Sequence, residues 1–297
     1  MKYLFLVASA LALAACGGTE IPAATSAPAE HVETNSERLD AVLAAQSDET
    51  KARYQYRHPK ETLEFFGIEP GMTVVDTLPG SVWYSGILSQ YLGAEGKVIG
   101  ADYSLDQRRA MGGRYGEEAW IEARQDWPQS WANERNAERA DNDAPFAAFF
   151  YGSVPDDMVG TADVVLMVRA AHHMHKVEDS GGFFTKAIED ASRILKPGGI
   201  VGVVQHRGPE SNSDEWALGF KGYLKQSQVI TFFENAGFEL AGESEINANP
   251  KDQPTEEDLV WRLAPTLGTS GEDPELRATM EAIGESDRMT LKFRKPE

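Results

Sequence analysis

The stretch from Gly71 to Leu92 restricts the possible folds of this chain more than any other. It begins with a short apolar, β-branched run, Met72 to Val75, which is typical of a buried parallel strand. Asp76 ends the run, Gly80 lies in the turn that follows, and apolar residues then recur at helical spacing from Tyr84 to Leu92. A strand, an acid, a glycine-containing turn and a helix form the first unit of a dinucleotide-type α/β domain. The stretch therefore predicts an α/β fold with a ligand near this turn, where backbone amides and a helix N-terminus are available.

Three later segments continue the pattern. Lys97 to Asp102 is a second strand with its own terminal acid, residues 162–168 are another apolar strand, and Leu195-Lys-Pro-Gly-Gly199 precedes a strand at Ile200 to Val204. This order resembles the class I S-adenosylmethionine-dependent methyltransferases over residues 55–297. The resemblance implies a Rossmann-like, doubly wound, mostly parallel seven-stranded sheet whose last strand is antiparallel.

Two aromatic segments resemble a bacterial subgroup of predicted methyltransferases. They are Tyr56-Arg-His-Pro59 and Trp83-Tyr84. The family's first motif is acid-x-Gly-x-Gly-x-Gly, whereas this chain has Asp76-Thr-Leu-Pro-Gly-Ser-Val82, which keeps only the middle glycine.

The resemblance implies S-adenosylmethionine as cofactor. Asp102 ends the second strand and, by the family pattern, would accept both ribose hydroxyls; its alternative role is a helix N-cap. The cofactor-binding residues that the resemblance implies are Asp76, Leu78, Gly80, Ser81, Asp102, Tyr103 and Ser153.

Histidines form a second set of candidate residues. His172, His173 and His175 follow the fourth predicted strand, and His206 follows the fifth. By the family topology these strands are neighbours, so the four side chains would gather at one edge of the sheet, which we call the histidine rim. Three roles stay open: packing, a pocket base that takes a proton from an acceptor, and a metal site made by His173, His175 and His206.

The catalytic candidates at this rim are His173, His206 and Arg169. We expect no structural zinc. Methyl transfer needs little acid–base chemistry, because the protein mainly aligns an in-line displacement at an already activated methyl group. The absence of an evident nucleophile from the sequence is therefore compatible with such an enzyme.

The N-terminus predicts export. Tyr3 to Leu13 is apolar but shorter than the roughly 20 residues that span a bilayer. It leads to Leu13-Ala-Ala-Cys16, which resembles the lipobox of bacterial lipoproteins, and Cys16 is the only cysteine of the chain. A lipidated Cys16 would hold the protein on a membrane; an ordinary signal peptide with a chance cysteine is the alternative. The expected location is the bacterial cell envelope, facing the periplasm and most simply on the outer membrane.

Composition sets the remaining expectations. A formal net charge of −19, with scattered Lys and Arg, argues against a nucleic-acid partner, since the phosphate backbone would be repelled. We predict a signal peptide at 1–15, a flexible tether at 16–36 rich in Ala, Pro, Thr and Ser, and a methyltransferase-like domain at 37–297. We expect residues 105–142 to form either a cap beside the pocket or a surface elaboration. We expect residues 247–287 to be mostly loop.

Two functional hypotheses follow. The first is a membrane-anchored methyltransferase acting on a small-molecule or envelope acceptor, favoured by Asp76, Gly80 and Asp102. The second is a non-catalytic methyltransferase-fold lipoprotein that binds another ligand, or a metal, at the histidine rim. It is favoured by Leu78, Val82 and Ser153, and by export to a compartment where no S-adenosylmethionine supply is expected. The sequence sets neither the acceptor nor the oligomeric state.

Overall fold

The apolar runs of the sequence form the centre of a mixed sheet. The computed structural model describes Met1 and residues 33–297, so Cys16 and residues 2–15 of the predicted signal peptide lie outside the described residues. In the described part the sheet has eight strands: β1 (Thr73–Thr77), β2 (Lys97–Asp102), β3 (Phe146–Phe150), β4 (Ala162–Val168), β5 (Leu195–Gly208), β6 (Leu224–Lys225), β7 (Glu239–Ser244) and β8 (Arg288–Arg294).

The strand order is β3-β2-β1-β4-β5-β8-β7, and β6 pairs with the end of β5. β1 pairs in parallel with β2 on one side and with β4 on the other, and β8 is antiparallel to both of its neighbours. This confirms the predicted Rossmann-like, doubly wound sheet with an antiparallel last strand. The extra strand β6 arises because β5 runs on past the predicted Val204, where Arg207 pairs with Leu224.

Helices cover both faces of the sheet. They are α1 (Asn35–Ala45), α2 (Asp48–Lys51), α3 (Tyr54–Arg57), α4 (Pro59–Phe66), α5 (Trp83–Leu92), α6 (Leu105–Met111), α7 (Glu118–Glu122), α8 (Trp127–Glu138), α9 (Ala171–His175), α10 (Glu178–Gly181), α11 (Phe183–Ile194), α12 (Gln226–Asn235) and α13 (Pro274–Ile283). None of the helices among the described residues is long and apolar enough to span a membrane.

Burial on both faces explains the continuous apolar run of the first strand. Val74 belongs to a buried cluster with Leu88 of α5, and Val75 belongs to the opposite cluster with Ile188 of α11. Successive side chains of a strand point to opposite faces, so a strand covered on both sides needs an apolar residue at every position.

Local signals account for the helix ends. Pro59 begins α4, and Gly67 ends it in the left-handed conformation at φ 74°, as the sequence predicts. The segment 247–287, predicted to be mostly loop, contains the ten-residue α13, because Asp273 caps its first turn and Pro274 opens it.

The insertion at 105–142 folds into α6, α7 and α8. Trp127 and Trp131 of α8 pack against the edge strand β3, with ring centres 5.6 Å from those of Phe150 and Phe146 respectively. Helix α8 thus runs along β3 from its carboxyl end to its amino end, and Arg124, just before α8, reaches Asp102 at the carboxyl end of β2.

Candidate functional site

The turn after β1 has an unusual backbone. Leu78, Gly80 and Val82 all adopt the left-handed conformation, with φ of 55°, 52° and 57°. Glycine adopts such angles freely, whereas a β-branched residue such as valine is a genuine outlier there. Each non-glycine outlier costs on the order of 1–3 kcal/mol. The loop therefore keeps left-handed residues at the three positions where the family motif has glycine, although two of them carry side chains.

Asp76 anchors this turn from inside. Its carboxylate is buried, and it accepts a hydrogen bond of 2.5 Å from the Ser85 hydroxyl of α5. Burial raises the pKa of Asp76 to about 6, and the bonds from Ser85 oppose that rise. Asp76 thus ties the first strand to the helix, while Gly80 and Ser81 at the tip are exposed.

Asp102 lies at the end of β2 with both carboxylate oxygens engaged. Oδ1 accepts from the Tyr103 amide at 2.7 Å and from Arg108 at 2.6 Å. Oδ2 accepts from Nε and Nη2 of Arg124 at 3.1 and 2.5 Å. A carboxylate has about four acceptor positions, so a ribose can bond to Asp102 only if one of these partners leaves.

Aromatic rings hold the two arginines over Asp102. The Arg124 guanidinium lies 5.2 Å from the ring centre of Trp120 and 5.1 Å from that of Trp127. Arg108 lies 4.7 Å from the ring of Tyr103. We call this group, with Arg124 at its centre, the arginine cap. The arginine cap was not predicted from the sequence, because no motif links residue 124 to a strand end 22 residues earlier.

The other predicted cofactor residues lie apart. Tyr103 is fully buried and its hydroxyl donates to the Ala170 carbonyl at 3.1 Å. Ser153 lines an open cleft of about 530 Å³ together with Ser104, Gln107 and Lys186. Tyr103 therefore packs as part of the core, and Ser153 faces the cleft on the β3 side.

Three histidines come together at the rim. The ring centre of His172 lies 4.0 Å from that of His173 and 5.3 Å from that of His206. Burial is the main cause that lowers the pKa of His173 to about 4 and those of His172 and His206 well below the ordinary value. The three imidazoles are therefore neutral at physiological pH.

Hydrogen bonds orient two of these rings. His172 Nδ1 lies 3.2 Å from the Gln205 side-chain oxygen, and His206 Nδ1 lies 2.5 Å from the Ser286 hydroxyl. His173 Nδ1 is buried and has no hydrogen-bond partner among the described residues. His173 is thus the rim histidine whose Nδ1 is left for a ligand.

His175 does not join the rim, so the predicted grouping of His173, His175 and His206 is wrong for this histidine. The His175 ring packs 5.1 Å from Phe232 and its Nδ1 lies 3.0 Å from the Leu218 carbonyl. The reason is α9: residues two apart on a helix point about 200° apart, so His173 and His175 face opposite sides. Within residues 33–297 no three His, Cys, Asp or Glu side chains are arranged to hold a metal ion.

Arg169 is the third catalytic candidate, and it follows β4 directly. Its backbone is left-handed at φ 55°, and its amide donates to the Val204 carbonyl at 2.7 Å. The guanidinium forms no hydrogen bond or ion pair with any described residue, and its Nε is buried. Burial lowers the pKa of Arg169 below its ordinary value.

Comparison with known proteins finds similar folds at low identity. No protein-family model matches the chain, and no curated protein matches it. The [4+2]-cyclase SpnF is 17% identical, with a TM-score of 0.49, over 81% of this chain and 80% of that protein. A SAM-dependent methyltransferase from Aquifex aeolicus is 18% identical, with a TM-score of 0.45, over 70% of this chain and 93% of that one.

An arsenic(III) S-adenosylmethionine methyltransferase from Chlamydomonas reinhardtii is 15% identical, with a TM-score of 0.44, over 88% of this chain and 73% of that enzyme. At these identities and TM-scores the similarities assign no activity to the chain. The class of fold rests on the strand order and pairing described above: a doubly wound, Rossmann-like α/β sheet with an antiparallel β8.

Proposed function

We propose that this chain is an S-adenosylmethionine-dependent methyltransferase that acts on a small-molecule or envelope acceptor. The observation that carries the proposal is the backbone of the turn after β1. Leu78, Gly80 and Val82 keep the left-handed conformation at alternate positions, and for Leu and Val that conformation is strained. Strain of this kind persists where the surrounding structure and a ligand need the geometry, so it supports a loop that still receives a ligand.

The location of the turn supports the same proposal. Strand order reverses between β1 and β4, since β2 and β3 extend the sheet one way and β5 extends it the other. Ligands of open α/β sheets bind in the crevice outside the carboxyl ends of the strands at this reversal. The turn, Asp102 and the histidine rim all border that crevice.

The residues fit the cofactor in part. The exposed tip at Gly80 and Ser81 leaves backbone accessible for the methionine portion, whereas Asp102 fits a ribose only when Arg124 withdraws. The cofactor would supply an activated methyl group. The chain's own residues would orient the acceptor, and the neutral His173 would take its proton if the accepting atom carries one.

Anchoring and location complete the proposal. Lipidation of Cys16 would hold the enzyme on the periplasmic side of the cell envelope, with its acceptor a small molecule or an envelope component and no nucleic-acid partner. Cys16 lies outside the described residues, so this part of the proposal depends on the lipobox-like sequence alone.

Calorimetry of the full chain with S-adenosylmethionine and with S-adenosylhomocysteine tests the proposal. We expect both to bind in the micromolar range, equivalent to about −8 kcal/mol. Gly80→Ala should weaken binding, because it adds a methyl group at the exposed tip of the loop. Gly71→Ala is the matched control, since Gly71 is also left-handed and exposed but lies before β1. No binding of either compound by the wild-type chain at about 1 mM, roughly −4 kcal/mol, would refute the proposal and leave the non-catalytic hypothesis.

A further inference from the structure

One glutamate beside the histidine rim contacts three arginines, and a fourth arginine acts on it electrostatically. Glu285 Oε1 accepts from Arg53 Nε at 2.8 Å and forms an ion pair with Arg57 Nε at 3.5 Å. Glu285 Oε2 pairs with Arg288 Nη1 at 3.1 Å. Arg169 is the fourth cation, and its pKa responds to Glu285, Arg288 and Arg53. We call these five residues the arginine cluster.

The cluster is assembled from distant parts of the chain. Arg53 precedes α3 and Arg57 ends it, ahead of the first strand. Arg288 begins β8, and Glu285 lies three residues before it. Arg169 follows β4, at the reversal of strand order. Arg288 pairs with His206 of β5, so the cluster lies at the same carboxyl edge of the sheet as the strained turn and the histidines.

The charges of the cluster do not balance. Four guanidinium groups face one carboxylate, and the side chains of Arg57, Arg288 and Glu285 are only 8%, 3% and 3% exposed. The neighbouring carboxylate of Asp287 is already paired with Arg207 at 2.8 Å. An unpaired buried charge costs several kcal/mol, so this arrangement is unfavourable unless an anion completes it.

Arg169 is the arginine of the cluster with the fewest contacts to its charged group. Its guanidinium has no hydrogen-bond or ion-pair partner among residues 33–297, and its backbone is in the strained left-handed conformation. The Nε atoms of Arg57 and Arg288 are also buried without hydrogen-bond partners. Each of these three guanidinium groups thus has a buried Nε–H donor that no described residue accepts.

We propose that Arg57, Arg169 and Arg288 bind an oxyanion group, a carboxylate or a phosphate, of the molecule that is methylated. The planar, multi-donor guanidinium matches both groups in geometry. Trp83 holds Arg57 in place, with its ring centre 4.7 Å from the guanidinium carbon. The inference rests on the proposed methyl transfer for the role of the ligand, but binding of the anion can be measured without any cofactor.

Electrostatics agree with this geometry. Burial, and then Arg169, lower the pKa of Arg57 to about 10. Burial raises the pKa of Glu285, but the combined attraction of the four arginines outweighs it and leaves that pKa below its ordinary value. A bound anion would favour the charged form of every arginine in the cluster.

Binding of inorganic phosphate and of malonate to the full chain tests the inference, by calorimetry and by the shift in melting temperature. We expect at least one of the two to bind the wild-type chain and Arg169→Gln to weaken that binding at least tenfold. Without anions, Arg169→Gln should melt no lower than the wild type, because it removes an unpaired buried charge. Arg277→Gln is the control: it removes a half-exposed arginine of α13 that pairs with Glu281, and it should bind like the wild type. Equal binding by wild type and Arg169→Gln, or no binding of either anion, would overturn the inference.

A second measurement identifies the source of the anion. If the anion belongs to the acceptor, Arg169→Gln binds S-adenosylmethionine as well as the wild type does. If Arg169→Gln weakens S-adenosylmethionine but leaves its decarboxylated analogue unaffected, the cluster holds the cofactor's carboxylate, and the assignment to the acceptor is overturned. A wild-type chain that binds phosphate or malonate but no S-adenosylmethionine would support the anion site and refute the proposed methyl transfer.

Discussion

Replacing Arg124 by alanine should strengthen cofactor binding, although Arg124 is not predicted to touch the cofactor. Arg124 donates two hydrogen bonds to Oδ2 of Asp102, the oxygen that a ribose would otherwise use. A hydrogen bond to a charged group contributes about 1.5–3 kcal/mol, and Arg124 is 29% exposed, so we count one such bond. Removing this competition should raise the affinity for S-adenosylhomocysteine by about 10- to 150-fold. Calorimetry of the full chain measures the change.

Substitutions at two contacting residues, Asp102 and Arg124, should change the cofactor affinity in opposite directions. Asp102→Ala should weaken binding at least tenfold, since it removes the ribose acceptor itself, whereas Arg124→Ala should strengthen it. Arg109→Ala is the control: Arg109 is also an arginine of the insertion and pairs with two carboxylates, Asp106 and Glu118, away from Asp102. Weaker binding by Arg124→Ala would refute the reasoning and make Arg124 a residue that holds Asp102 in its binding position.

Three further predictions concern stability and anchoring. Val82→Gly should raise the free energy of unfolding in urea by about 1 kcal/mol, because it relieves about 1–3 kcal/mol of backbone strain at a smaller entropic cost. The control is Val159→Gly, at an exposed valine with an ordinary φ of −62°, which should lower the free energy of unfolding. Burial raises the pKa of Asp76 in the folded chain to about 6, against an ordinary value of 3.8, so the stability that Asp76 contributes is complete below about pH 4 and is lost as the pH rises through about 6. Asp76→Asn should therefore reduce the fall in unfolding free energy over this pH range by about 3 kcal/mol. An unchanged pH profile of stability would contradict the burial argument. Cys16→Ser should release the protein from the membrane fraction or leave the precursor uncleaved, and unchanged fractionation and processing would exclude lipidation.

Local patterns in the sequence were sufficient for the class of fold. β1 begins with the β-branched run Thr73-Val-Val75, and β4 is apolar at every position except Asp163, as a strand buried on both faces requires. The glycine turn after Asp76 separates β1 from α5, whereas Leu195-Lys-Pro-Gly-Gly199, predicted to precede a strand, forms the first five residues of β5. Such signals depend on neighbours within a few residues, so they can be detected without coordinates.

Backbone conformation was only partly accessible in this way. The sequence shows that Leu78 and Val82 replace glycines, which favours a loop of altered shape. The structure keeps all three left-handed residues, because the strand pairing on one side and α5 on the other fix the ends of the turn. Propensity alone would not have predicted a valine in that conformation.

What the sequence determined by itself is the order of strands and helices, the place of the turn and the acids that end β1 and β2. Only the tertiary structure decided what those acids and cations contact. Asp102 receives Arg124 from the insertion at 105–142, His175 turns away from the predicted rim toward Phe232, and Arg53 meets Glu285 across 232 residues of chain. These contacts depend on how separate elements pack, and the physical reason they escape sequence analysis is that no local period or motif records the distance between residues far apart in the chain.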